Sequence, residues 1–284
     1  MPEAALTWAD FVAGWPIFRD AVLCGILAGG ALGLLGVYVV LRRMVFVAAV
    51  LSEVSGLGVA LAFWAGMLLD REVEPMLGAM LLCLLATVLF TMRPERLRLS
   101  REAVLAIAWV GAAGSAVVVG ERITAEAHDI RAILFGSAVL VHPEDVWLVG
   151  GAALLAAGLH FGFGRGLLFS GFDPDVAKVH GLPVRLLDFA LWGSVALTVS
   201  IATHALGALP VFAFSVLPAV AALLARPRMR GVFVLAGLLG AAAGGLGYLL
   251  AFFESLPVGA SQTLVAAIFV VLALPLKLVR RGKE

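Results

Sequence analysis

Apolar residues run through this chain in long blocks, and charge is confined to the short stretches between them. Nine blocks, at roughly 17–41, 45–69, 74–92, 102–120, 144–169, 185–206, 207–225, 231–253 and 258–277, lack the polar alternation of a half-exposed strand or helix. Most are near the roughly 20 residues a helix needs to cross the hydrocarbon core. The pattern predicts an all-α, polytopic transmembrane bundle of about nine spans, organised as a single membrane domain over 1–284. The least marked break lies between the sixth and seventh blocks, at Gly207 and Pro210.

Lys and Arg are retained on the cytoplasmic side of a membrane. With nine spans and the N-terminus outside, sixteen of the twenty fall on inner segments and only Arg19, Arg71, Arg122 and Arg131 on outer ones. Every inner loop agrees separately, and removing any one span would scramble the alternation. The C-terminus is therefore inside. The first fifteen residues are acidic and lack the basic flank of a secretory signal, so the first apolar block is read as a retained helix.

Two connections are unusual. The stretch 171–187, GFDPDVAKVHGLPVRLL, opens with a turn-prone Asp173-Pro174, continues as a short helix-compatible segment and stops at Gly181-Leu182-Pro183. On the inferred topology it is a short cytoplasmic projection. The stretch 121–143 starts polar and turns apolar through ILFGSAVLV, which is too short to span. It is expected to be an interfacial or re-entrant segment on the outer face.

Composition sharpens the class. The chain is 62% hydrophobic and 14% charged, against about 25% charged in soluble domains. Cys24 and Cys83 both lie inside apolar blocks and read as small packing residues, neither a disulfide nor a metal pair. Gly25, Gly29 and Gly33, with Gly240 and Gly244, form small-residue rows that allow close helix approach in lipid. No G-x-x-x-x-G-K-[ST] occurs, so the chain carries no ATP-binding P-loop. No nucleophile–base–acid set is apparent either, which argues against an enzyme.

Ionisable residues within spans are costly and mark candidate functional positions. Asp188 lies three residues after Arg185, a spacing that predicts a local ion pair. His160 precedes a glycine-rich inner end and is expected to be structural. Glu53 has no basic partner in its own helix and stands beside Ser52 and Ser55. It reads equally as a pore-lining group or as a satisfied structural carboxylate. His204, near the outer end of the sixth block, has the same two readings. His128 and His142 lie in the outer segment without zinc-cage spacing.

Four blocks in order carry a resemblance. GVYVVLRRMVFVAAVLSEVSGLGVALAF at 36–63, AILFGSAVLVHPED at 132–145, FDPDVAKVHGLPVRLLD at 172–188 and GALPVFAFSVLPAVAALLA at 207–225 together resemble the membrane permeases of zinc, manganese and iron ABC importers. The resemblance implies two permease copies, or one copy and a homologue, driven by cytoplasmic ATPases and supplied by an extracytoplasmic metal-binding protein. It makes 171–187 the coupling helix, shaped by Asp173, Pro174, Gly181, Leu182 and Pro183. A divalent metal is then the cargo, with no stably bound cofactor. The chain departs from the family pattern at Ala49, Glu53 and Leu57, where relatives carry Asp, His and Pro. A carboxylate at 53 suits a hard or borderline cation and weakens selection for zinc. On this reading Glu53 is a pathway carboxylate and tentative metal contact, Ser52 its neighbour, and His204 a substitute donor. The alternatives are a non-metal or chelated substrate on the same fold, and a non-transporting scaffold or sensor.

Overall fold

The computed structural model describes residues 7–71, 73–91, 100–123 and 141–281. Most of the outer segment expected at 121–143, including His128, and most of the loop after the third span lie outside the described residues. Eleven helices are described. In chain order they are α1 (Trp8–Ala13), α2 (Trp15–Leu41), α3 (Val45–Leu69), α4 (Pro75–Thr91), α5 (Arg101–Gly120), α6 (Pro143–Phe172), α7 (Pro174–Val179), α8 (Val184–Leu206), α9 (Ala208–Ala225), α10 (Met229–Phe253) and α11 (Val258–Arg281). Among the described residues eight are long and apolar enough to cross a membrane, and α4 is a shorter apolar helix over Pro75–Phe90. These are the nine blocks of the sequence.

Local chemistry sets the ends. The boundary between α8 and α9 falls at Gly207, whose φ of 92° and ψ of 161° belong to a region open essentially to glycine alone. The α2–α3 turn closes on two hydrogen bonds, Arg43 N–H to Val40 O at 3.1 Å and Met44 N–H to Val39 O at 3.0 Å, with Arg43 left-handed at φ 56°. This helix-ending motif usually has glycine at the left-handed position. Here it turns consecutive arginines in different directions, Arg42 into the protein and Arg43 out to solvent.

Helix α2 is the hub, with 72% of its most apolar window buried, against 17% for α6. It packs on α6, α8, α9 and α10, while α3 packs on α4, α5 and α8. The glycine rows explain the α2–α10 contact. A Cβ built on Gly29 or Gly240 would overlap the carbonyl of the opposing glycine. Backbone therefore meets backbone at the centre of the bundle, as the small-residue spacing implies. At 30 residues α6 is about 45 Å long, longer than the roughly 30 Å hydrocarbon core, so it carries the chain past the bilayer surface.

Helix α1 covers one end. Thr7 caps it, with its hydroxyl donating to the Asp10 carboxylate at 2.6 Å and its N–H donating to the same oxygen at 2.8 Å. These bonds hold the Asp10 carboxyl below its usual pKa, the hydroxyl contributing most. Phe11 packs edge-on to Phe252, with ring centroids 5.1 Å apart.

Candidate functional site

Two places carry chemistry, a polar layer among the spans and the projection between α6 and α8. In the first, Ser52, Glu53 and Ser55 lie within one turn of α3 but do different things. Ser52 is buried and donates back to Ala48 O at 3.0 Å. Ser55 reaches across to Ser200 O on α8 at 3.4 Å. Cys83 on α4 contacts Leu51 O at 3.3 Å. The serine side of α3 is thus a packing surface. Glu53 follows Ser52 by about 100° around the helix. It is half-buried and has no hydrogen-bond or ion-pair partner among the described residues. Phe46, which shares its side of α3, is exposed.

His204 is in the last turn of α8. Its Nε2 lies 3.8 Å from an oxygen of the buried Asp145, in the first turn of α6. The other oxygen of Asp145 accepts the His142 N–H at 2.9 Å. Nδ1 of His204 and the hydroxyls of Ser200 and Thr203 are buried without hydrogen-bond partners among the described residues. No hydrogen bond or ion pair joins His204 to Glu53 among the described residues. Asp145 is the residue that sequence reasoning missed. It sits 59 positions before His204, and its only sequence signal is its place behind Pro143 at a helix start. Among the described residues no three His, Cys, Asp or Glu side chains converge as a metal cage. Cys24 and Cys83 are buried free thiols.

His160 is tied into the fold. Its Nδ1 lies 2.6 Å from the Tyr38 hydroxyl, and its ring centroid is 4.3 Å from that of Phe233, so it joins α2, α6 and α10. The local pairing expected for Asp188 is not what forms. Asp188 is bound by Arg42 from α2, and Arg185 is exposed. Arg42 reaches Asp188 because the turn after α2 drives its side chain inward.

The projection is a six-residue helix capped at both ends. Asp173 is the N-cap, accepting the Val176 N–H at 2.9 Å, and Pro174 occupies the first helical position, where its missing N–H costs nothing. At the other end Gly181 N–H bonds Lys178 O at 2.9 Å and Leu182 N–H bonds Ala177 O at 3.1 Å. Gly181 has φ 77° and completes a Schellman motif. Ala177 is buried beneath the helix and Leu182 packs on the core. Phe172 and Val179 are exposed, Val179 at 86%. Six residues are far too few to be helical alone, so the caps and Leu182 hold the shape. Arg42 joins the ends of α2 and α6 to the start of α8. The projection therefore stands at the same end of the bundle as Arg42 and Arg43, the cytoplasmic end by the charge rule.

A bundle of membrane-crossing helices with a short helical projection at its basic end is the form of a multi-pass membrane protein. The chain belongs to the ABC 3 transport family, whose model matches residues 15–277. It is 28% identical over 266 residues to the manganese import system permease protein ScaB of Streptococcus pneumoniae, covering 92% of this chain and 91% of that one. It is 27% identical over 264 residues to the chelated iron transport system membrane protein YfeD of Yersinia pestis, covering 92% and 85%. Among solved structures, PsaBC from Streptococcus pneumoniae in complex with Fab superposes with a TM-score of 0.84 at 24% identity, covering 98% of this chain and all of the matched chain.

Proposed function

We propose that this chain is the inner-membrane permease subunit of an ATP-driven importer that carries a divalent metal ion into the cytoplasm. The observation that carries the reading is the projection at 173–183, a doubly capped helix that exposes Val179 beside Asp175 and Lys178, on a chain whose residues 15–277 match a transport family. Relatives named for manganese and for chelated iron support a metal cargo. The sequence carries no P-loop motif, so a separate cytoplasmic ATPase docks on the projection. An extracytoplasmic metal-binding protein supplies the ion, and a second copy or a homologue completes the pathway.

Within the bundle, Glu53 is the pathway carboxylate, since it is half-buried and has no hydrogen-bond or ion-pair partner among the described residues. Ser52, turned into packing, supports the helix beside it. His204 acts through Asp145, and the two line the outer approach. Metal is read as cargo and not as a resident cofactor. A transported ion must be bound weakly enough to leave. The relative named for chelated iron favours, as a second reading, a chelated metal whose ligands travel with it.

The test is uptake of isotope-labelled manganese, iron and zinc, free and chelated, into proteoliposomes holding the complete complex. ATP-dependent uptake of a free ion that falls severalfold or more in Glu53→Ala, with the ATPase still bound, supports the reading. Uptake of chelates alone favours the second. Undiminished free-ion uptake in the variant returns Glu53 to a structural role.

A further inference from the structure

The side chain of Arg42 is buried to about a tenth of its free exposure. One Nη donates to the carboxylate of Asp188 at the start of α8. The other donates to Leu167 O at 3.1 Å and to Ser170 Oγ at 3.0 Å, both in the last turns of α6. Ser170 in turn donates to Leu167 O at 3.2 Å. Gly171 lies against the same side chain, where an added Cβ would come within 3.1 Å of Arg42 Nε. One guanidinium therefore clasps the strut leading into the projection, at 167–171, and the strut leading out of it, at 188. Arg42 itself ends the hub helix α2, and only Arg43 and Met44 separate it from α3. Glu53 stands eleven residues further on, the last eight of them along α3, about 12 Å of helix.

A second feature adds room for movement. A cavity of about 230 Å³ adjoins the clasp, lined by Arg42, Thr87, Ser170, Pro174, Asp188 and Trp192. It separates the base of α7 from α4 and the start of α3. The feet of the projection thus have a hydrogen-bonded connection to the end of α2 with the cavity beside it, while further along α8 packs on α4. A push on α7 is passed where the bonds are, into α2 and the turn that begins α3.

We infer that Arg42 is a positioning residue for coupling, the joint through which displacement of the projection reaches α2 and the Glu53-bearing helix. This rests on the reading of 173–183 as the docking point of an ATPase. Arginine suits the task because its planar fork holds three acceptors in fixed directions, which a lysine ammonium on a flexible stem does not.

The test uses the complete importer in proteoliposomes and reads metal taken up per ATP hydrolysed, alongside ATPase retention and thermal stability. Arg42→Lys keeps the charge opposite Asp188 and loses the fork. It is expected to retain the ATPase and hydrolyse ATP within about twofold of wild type, while uptake per ATP falls about tenfold. Ser170→Ala, a mild change that leaves the ion pair, lowers the same ratio by about threefold. Arg42→Gln combined with Asp188→Asn is no worse than Arg42→Gln alone, because both changes break one connection. Undiminished uptake per ATP in Arg42→Lys and Ser170→Ala overturns the joint. So does a loss that merely tracks falling thermal stability. A wild-type complex that holds no nucleotide-binding chain overturns the docking reading and the joint together. Normal coupling of the variants in an ATP-hydrolysing complex overturns the joint alone.

Discussion

Gly181 offers a clean perturbation of the projection because its surroundings and its backbone demand opposite things. No atom lies within 4 Å of a Cβ built there, so added bulk meets no obstacle. Its φ of 77° is the obstacle, since an L-residue pays roughly 1–2 kcal/mol in the left-handed region. Gly181→Ala therefore weakens the Schellman closure by that amount and touches nothing else. At RT of about 0.6 kcal/mol this is about a five- to thirtyfold rise in opening of the last turn of α7. Asn tolerates the left-handed region better than Ala, so Gly181→Asn recovers part of the loss. Hydrogen exchange of the amides at 176–182 reads the opening, with Gly181 and Leu182 N–H most affected because they make the two closing bonds. In the complete importer the same series should order uptake per ATP as Gly, Asn, Ala, with the protein still in the membrane. Equal exchange in all three, or Asn more open than Ala, would refute the claim that backbone conformation at Gly181 holds the projection.

The remaining predictions test other levels of the fold. Gly240→Val forces a branched side chain into the Gly29 carbonyl, an overpacking expected to cost about 1–3 kcal/mol or more, and should lower the unfolding temperature of the detergent-solubilised protein, whereas the same change at Gly193, which meets nothing within 4 Å, should cost much less. Asp10 is held below its usual pKa by Thr7, so the stability of the α1 cap is complete above the ordinary carboxylate pKa and is lost as pH falls through the lowered folded value. Exchange of the α1 amides should rise in that acid window for wild type and lose this pH dependence in Asp10→Asn. Asp145→Asn removes the carboxylate facing His204 and should slow uptake with little effect on ATP hydrolysis, a split read from the two rates in proteoliposomes.

Helix existence was legible because each span is decided locally, by some twenty apolar residues bounded by Gly, Pro or Arg. The break at Gly207 and the capacity of the two glycine rows for close backbone approach were legible for a related reason, though not that the rows meet each other. A φ of 92° and backbone contact across helices each require a missing side chain, and glycine advertises that. Pairings between helices were not legible. Asp188 has Arg185 one helical turn away in sequence, but its partner is Arg42, 146 residues distant and aimed inward by a turn whose left-handed Arg43 no propensity rule would choose. Tyr38 with His160, and Asp145 with His204, are hidden in the same way, since apolar periodicity reports that a helix is buried and not which neighbour it meets. Ser52 shows the limit at one residue's resolution. It stands beside Glu53 in sequence, but its hydroxyl is spent on its own helix.

The account turns on a capped projection that presents Val179 to the cytoplasm. The direct measurement is labelling of Val179→Cys with a membrane-impermeant thiol reagent, in right-side-out and inside-out vesicles. Val179 is 86% exposed while Cys24 and Cys83 are buried, so the native thiols give little background. Labelling confined to inside-out vesicles, and blocked when a nucleotide-binding subunit is bound, is the predicted result. Labelling from the outer face, or labelling that such a subunit leaves unchanged, would contradict it.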